Sequence, residues 1–255
     1  MTFAIIVPFR SKGPSDPRAA QLIAFRAFVE DRFGPGKLWV ITQTPGKKFN
    51  RGMLLNVGFL QAHKANDLTH LIFHDVDLIP SPDLADYYER VPDIHRPIHL
   101  GRKFDRYASN PDYLGGVLSI RVEDFLEVNG FPNCFWGWGG EDDEFALRIR
   151  AAGMEPVVPD RGSFRDLEGL TLKEKVHVLR SSNERCMTKH ELLADYRTVL
   201  RDDGVRSLDG SRVIGVSRSG NDFTVELLAT SGHQSDACSD ESYSTWGYPS
   251  SASSK

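Results

Sequence analysis

Short apolar runs rich in β-branched residues, each followed by a segment of helical spacing, leave this chain few folds to choose from. Residues 3–7 are Phe-Ala-Ile-Ile-Val, closed by Pro8, and read as a buried strand. Asp16-Pro17 then supplies a helix start, with a carboxylate at the N-cap and proline at the first helical position. Leu22, Phe25, Val29 and Phe33 follow at helical spacing, and Gly34 ends the segment. Residues 38–41 form a second strand and 54–62 a second helix. Residues 71–73 form a third strand that runs into His74-Asp75-Val76-Asp77. This alternation predicts an α/β fold with a mostly parallel central sheet flanked by helices. In such sheets ligands sit beyond the carboxyl ends of the strands, which is where Asp75 and Asp77 fall.

Further along, residues 117–120 read as a strand and 141–152 as a helix closed by Gly153; residues 172–179 and 189–200 are further helices. Residues 213–216 and 223–228 form a hairpin around Ser219-Gly220-Asn221-Asp222. A single domain is expected over residues 1–230. From 231 to 255 Ser, Asp and Gly dominate without periodicity, which predicts a disordered tail. At 255 residues, 40% hydrophobic and 26% charged, the chain can bury a substantial core.

Thirty-one Lys and Arg against 35 Asp and Glu give a net charge of −4, which argues against nucleic acid or an anionic membrane as a general partner. No apolar run approaches the ~18 residues that span a bilayer, so no integral membrane segment is expected. The opening residues lack the basic start and apolar length of a signal peptide. Cys134, Cys186 and Cys238 are too scattered for a disulfide framework or a zinc site and read as reduced thiols. A cytoplasmic location follows as the expectation.

Two acidic clusters carry the chemistry. In an extended segment Asp75 and Asp77 would point to the same side and could hold a hard divalent cation, which can bridge a diphosphate. So short a motif can also be a solvated acidic turn. The second cluster is Phe135-Trp136-Gly137-Trp138-Gly139-Gly140-Glu141-Asp142-Asp143-Glu144. Acids in a first helical turn complement the macrodipole by ~0.3–1 kcal/mol each. That does not explain the Trp-Gly lead-in, which suits a mobile loop whose indole packs on a sugar face. Cations leave the first strand at Arg10 and Lys12, precede the second helix at Arg51, and precede Tyr113-Leu114-Gly115-Gly116 at Arg102 and Lys103. Converging on a metal site, they would neutralise a departing diphosphate.

In order, Val7-Pro8-Phe9-Arg10, Phe49-Asn50-Arg51-Gly52-Met53-Leu54-Leu55-Asn56-Val57-Gly58-Phe59, Phe73-His74-Asp75-Val76-Asp77-Leu78-Ile79-Pro80, Tyr113-Leu114-Gly115-Gly116-Val117, Asn129-Gly130-Phe131-Pro132-Asn133 and Trp136 to Asp143 run through residues 3–153. This series resembles the β-1,4-galactosyltransferase family, glycosyltransferase family seven. The resemblance implies a GT-A fold, a UDP-sugar donor (usually UDP-galactose), Mn²⁺ with Mg²⁺ as an alternative, and inversion at the anomeric carbon. It places Pro8, Phe9, Arg10, Phe49 and Arg51 against the uridine and ribose, with Asp75 and Val76 beside them. Asp77 would ligate the metal, and Lys103, Tyr113 and Gly116 would border the diphosphate or donor sugar. Trp138 would be the loop tryptophan. Glu141, Asp142 and Asp143 would hold or orient the acceptor sugar, with Asp142 as general base and Glu141 beside it in the catalytic pair. Residues 1–160 would carry the donor, metal and catalytic core, and 161–230 the acceptor side.

One departure concerns the metal. The family takes its remaining ligands from a histidine-containing segment past the acid cluster, whereas this chain reads Ser163-Phe164-Arg165-Asp166-Leu167-Glu168 there. Asp166 and Glu168 are expected to replace the histidine, since all-oxygen ligation suits Mn²⁺ or Mg²⁺. His177, the competing ligand, is expected to be a half-buried structural residue in a helix. The expected activity is transfer of a hexose, most simply galactose, to a glycan hydroxyl. An N-acetylgalactosaminyl or other hexosyl donor, a catalytically silent sugar-nucleotide-binding module and a metal-dependent phosphohydrolase are the competing readings.

Overall fold

The computed structural model of the chain describes residues 2–11, 13, 16–107, 112–195, 202–209 and 212–228. The expected tail at 231–255, Cys238 and the end of the helix expected to reach residue 200 lie outside the described residues. The elements in chain order are β1 (Phe3–Phe9), α1 (Pro17–Phe33), β2 (Leu38–Gln43), α2 (Arg51–Ala65), β3 (His70–His74), β4 (Leu78–Pro80) and α3 (Pro82–Ala85). Then follow β5 (Val117–Arg121), α4 (Val122–Glu127), α5 (Glu141–Ala151), β6 (Phe164–Asp166), α6 (Leu172–Ser181), α7 (Lys189–Asp195), β7 (Val213–Ser219) and β8 (Asp222–Leu227).

The main sheet has the order β5-β3-β1-β2-β8-β7. β1 pairs parallel with β2 and β3, and β2 pairs parallel with β8, while β5 and β7 run antiparallel at the edges. Side chains of β1 alternate between two cores: Ala4 and Ile6 join α2, Phe125, Phe131 and Phe145, while Phe3, Ile5 and Val7 join Phe25 and Val29 of α1 and Tyr88. Burying each such side chain contributes ~1.5–3 kcal/mol. The sheet is therefore clamped from both faces.

Local chemistry sets the helix starts. Asp16 accepts from the Arg18 N–H at 3.0 Å, with Pro17 inside the first turn, as its sequence predicts. Asn50 accepts from the Met53 N–H at 2.9 Å and so begins α2 at Arg51, three residues ahead of the expected start at 54. α2 lies close on the sheet at Gly58, where a Cβ would stand 2.4 Å from Ile6 Cγ2. These contacts bring Arg51 to the carboxyl ends of the central strands.

Some expectations need correction. Asp75-Val76-Asp77 is not extended: it is a turn between β3 and β4, with Leu78 N–H donating to Asp75 O at 3.4 Å. β4 pairs antiparallel with β6, placing Leu78 opposite Asp166. Strands of this length carry too little periodicity to be read in advance, and α4 escaped notice for the same reason. Beyond β6, Leu167 and Glu168 form a bend and not the extended Asp-x-Glu expected.

Candidate active site

A cleft with a cavity volume of about 280 Å³ opens at the carboxyl ends of β1 and β3. Pro8, Phe9 and Arg10 at the end of β1, Phe49 and Arg51 before and at the start of α2, and the Asp75–Asp77 turn form one wall. Tyr113, residues 137–143 and Glu168 form another, and Lys175, Val178 and Leu179 of α6, with Ser182 just past its end, close the side. Asp77 and Asp142, remote in sequence, thus face the same cavity.

Arg51 joins the acidic clusters. Its Nε donates to Asp75 Oδ1 at 2.9 Å and its Nη1 to Asp142 Oδ1 at 2.8 Å, with Glu141 Oε1 at 3.8 Å. Burial opposes the guanidinium's charge, but Asp142, Asp75 and Glu141 outweigh it and hold its pKa above the ordinary value. Burial pushes Asp142 up to about 6, with Arg51 pulling against it. Burial and then Asp142 push Glu141 up to about 8. Asp142 therefore remains mostly ionised at neutral pH while sitting in a desolvated place, a combination suited to a general base. His74 supports the turn from beneath: Nδ1–H donates to Asp75 O at 2.7 Å and Nε2 accepts from the Tyr88 hydroxyl at 2.6 Å. Burial brings that imidazole down to about 4, so it stays neutral.

The glycines of the Trp-Gly loop are required by conformation. Gly137, Gly139 and Gly140 have φ of 100°, 100° and 105°, and a Cβ on Gly140 would lie 2.3 Å from the Phe135 ring. Trp138 is held from both sides, its N–H donating to Glu184 O at 2.7 Å and its carbonyl accepting from Cys186 N–H at 3.1 Å. Arg10 reaches Glu184 at 2.8 Å and lies 5.4 Å from the Phe49 ring centroid. Lys189 meets Asp143 at 2.5 Å.

The remaining site candidates are distributed unevenly. Gly116 does not line the cavity, but its carbonyl accepts from the Asp75 N–H at 3.0 Å and fixes the turn. Lys103 points elsewhere: Nζ donates to Asp160 O at 3.2 Å on the surface. His177 is exposed on α6 and not half-buried, because Leu179 and Lys175 take the inward face of that helix. Glu168 lines the cleft; Asp166 does not, and accepts from Arg106 at 2.6 Å and from the Glu168 N–H at 2.8 Å. Arg106, Lys175, Leu179, Ser182 and Glu184 line the cleft without having been singled out in the sequence. For α6 a signal existed, since 175, 178, 179 and 182 share one helical face.

For a divalent cation, the donor chemistry fits. Burial pushes the Asp77 carboxyl up to about 6, with Asp75 and Glu168 adding to it and Lys175 opposing. A buried group of like charges is what a hard cation relieves, and Asp77 and Glu168 supply oxygen donors suited to it. His95, Asp124 and Glu127 also bring potential ligand atoms within 4.8 Å of one another, but none of them lines the cleft.

Residues 1–89 match the family model for the N-terminal region of glycosyl transferase group 7, and residues 96–173 match that for the N-terminal domain of galactosyltransferase. The chain belongs to glycosyltransferase group 7, the β-1,4-galactosyltransferase family. It is 38% identical over 173 residues to mouse β-1,4-galactosyltransferase 4, covering 67% of this chain and 47% of that protein. It is 38% identical over 172 residues to human β-1,4-galactosyltransferase 5, covering 64% of this chain and 42% of that one. The chain thus spans under half the length of these curated relatives. The catalytic domain of Drosophila β-1,4-galactosyltransferase 7, solved with xylobiose, superposes with a TM-score of 0.69 at 25% identity, covering 93% of this chain and 99% of that one. A mutant of that enzyme solved with manganese, UDP-Gal and xylobiose matches equally, with a TM-score of 0.69. The fold is that of GT-A nucleotide-sugar transferases. No helix among the described residues is long and apolar enough to cross a membrane.

Proposed function

We propose that this protein is an inverting, divalent-cation-dependent glycosyltransferase that moves galactose from UDP-galactose to a glycan hydroxyl in β linkage, with Asp142 as general base. The observation that carries this reading is the shared cleft of Asp77 and Asp142, tied through Arg51 and Asp75. The family and the ligands of the Drosophila neighbour support the choice of donor and ion.

Asp142 accepts the proton of the acceptor hydroxyl as that oxygen attacks the anomeric carbon from the face opposite UDP. Such assistance contributes ~10²–10⁴-fold. Arg51 keeps the carboxylate aimed and ionised. Pro8, Phe9, Arg10 and Phe49 enclose the nucleoside, with Asp75 and Val76 beside it, and Tyr113 borders the donor sugar. Glu141 and Asp143 hold the acceptor sugar while Trp138 covers it and excludes water, favouring transfer over hydrolysis. Asp77 and Glu168 would hold Mn²⁺ or Mg²⁺, which when bound supplies positive charge to the leaving diphosphate. Residues 1–230 are read as one domain, its first 160 residues on the donor side and the rest adding α6 to the same cleft. Cys134 and Cys186, both buried and unpaired, support a reducing, cytoplasmic setting.

UDP release in Mn²⁺, measured with and without acceptor sugars for the parent and Asp142→Asn, tests this reading. Acceptor-stimulated release that drops ~10²-fold or more in the variant, with UDP binding retained, is the expected result. Release indifferent to every sugar would indicate a hydrolase, and binding without release a silent module.

A further inference from the structure

Glu168, the donor beside Asp77, has both oxygens engaged by protein cations. Arg106 Nη1 donates to Oε2 at 2.8 Å, and Lys175 Nζ donates to Oε1. The Lys175 and Glu168 side chains are only 12% and 16% exposed, and Arg106 only 6%. These are therefore not solvent-screened pairs of negligible worth. Burial would raise the Glu168 pKa, but Lys175 and Arg106 outweigh it and keep the carboxylate ionised.

The two cations differ in freedom. Arg106 spans two carboxylates, since its Nη2 also donates to Asp166 Oδ2 at 2.6 Å, and this forked grip fixes its plane. Among the described residues Lys175 forms an ion pair with Glu168 alone, though Asp77 also feels its charge, and it carries its ammonium on a flexible four-carbon stem. It projects from α6, whose start is fixed separately by the reciprocal capping of Thr171 and Glu174. Neighbours on the same face, Val178, Leu179 and Ser182, line the cleft, so the lysine can turn from Glu168 towards a ligand there without moving the helix. A divalent ion on Asp77 and Glu168 and an ammonium on Glu168 would repel each other at close range.

We propose that Lys175 is a resident counter-ion that holds Glu168 closed to divalent cations in the nucleotide-free protein, and that a diphosphate opens the site by drawing the ammonium to itself. This rests on the reading of the cleft as a sugar-nucleotide site. It makes Lys175 a positioning residue that couples diphosphate and metal binding, and by linkage each ligand strengthens the other by the same factor.

Mn²⁺ binding to the full chain, followed by loss of the free-ion electron paramagnetic resonance signal, reads this directly with and without UDP. For the parent, weak Mn²⁺ binding that UDP strengthens is expected. Lys175→Gln should tighten nucleotide-free Mn²⁺ binding by about tenfold, corresponding to ~1.4 kcal/mol of lost competition, and shrink the UDP enhancement accordingly. Lys175→Arg keeps a cation there and should leave nucleotide-free binding weak. In a Glu168→Gln background, Lys175→Gln should make no further difference. Unchanged or weaker nucleotide-free binding in Lys175→Gln overturns the proposal. So does a coupling factor of one between UDP and Mn²⁺ in the parent, a measurement that needs no variant to fold. A parent that binds no Mn²⁺ even with UDP overturns the cleft reading itself.

Discussion

Gly115→Ala perturbs the general base without altering any charged group. A Cβ built there would stand 2.1 Å from Asp142 Oδ2 and 2.7 Å from Asp142 Cγ. Real contacts of this type essentially never fall below 3.0 Å, so something must move by close to an ångström. The backbone at 115 cannot easily retreat, because His99 Nε2–H donates to its carbonyl at 3.0 Å and the Val117 N–H at 3.1 Å. The φ of Gly115 lies outside the left-handed region, so alanine itself introduces no backbone strain. Asp142 must yield, against the 2.8 Å bond from Arg51, and the Tyr113 ring, 2.7 Å from the same Cβ, must shift with it. Misplacement of a reacting group by ~1 Å costs on the order of 10²-fold, so kcat for acceptor-dependent UDP release should fall by about that factor. UDP affinity, measured by calorimetry, should change by less than about threefold, since the nucleoside wall is untouched. A kcat within about threefold of the parent would refute the claim that Asp142 is held in working position by this contact.

Other consequences follow from the same contacts. With Asp142 pushed up to about 6 by burial, kcat/KM should lose its activity as pH falls below that value, seen as an acid limb absent from UDP binding. Burial raises Glu141 to about 8, Glu144 to about 7 and Asp77 and Asp142 to about 6, so the folded state keeps protons that the unfolded chain has released. These carboxyls by themselves make stability decline as pH rises. The buried His74 and His99, brought down to about 4, oppose this below the ordinary histidine value of about 6.5, so the decline should show where the carboxyls act alone: the metal-free Tm should drop between about pH 6.5 and about pH 8. A Tm that rises across that range would contradict the burial of these groups. Asn56 donates to Phe131 O at 2.7 Å and Asn133 Oδ1 at 2.9 Å and accepts from the Phe131 N–H at 3.0 Å, all within the core. Asn56→Ala strands those groups and should cost ~2–4 kcal/mol in urea unfolding.

What the sequence revealed and what it concealed divide along physical lines. Helix starts written in capping chemistry, such as Asp16-Pro17, and strands long enough to show an apolar run were legible. The three-residue pair β4 and β6 was not, and with it went the geometry of Asp77, which sits in a turn. The Trp-Gly-Gly acidic block was legible because three glycines with positive φ before four acids fit few other purposes. Arg51 was legible as a site residue, whereas its tie from Asp75 to Asp142 depends on packing α2 against the turn. Lys103 and Arg106 show the limit most plainly. Both follow the same apolar stretch, and only backbone direction sends one to the surface and the other to Asp166 and Glu168. Lys175 was invisible for a related reason, since an amphipathic helix does not announce that one of its faces completes a cleft.

The anomeric outcome of the reaction tests the central claim most directly. Incubated with UDP-galactose, Mn²⁺ and a sugar acceptor and followed by proton NMR, the protein should release UDP in step with a β-linked galactosyl product, as attack by a hydroxyl deprotonated at Asp142 requires. An α-linked product, or free galactose formed at a rate no acceptor changes, would contradict it.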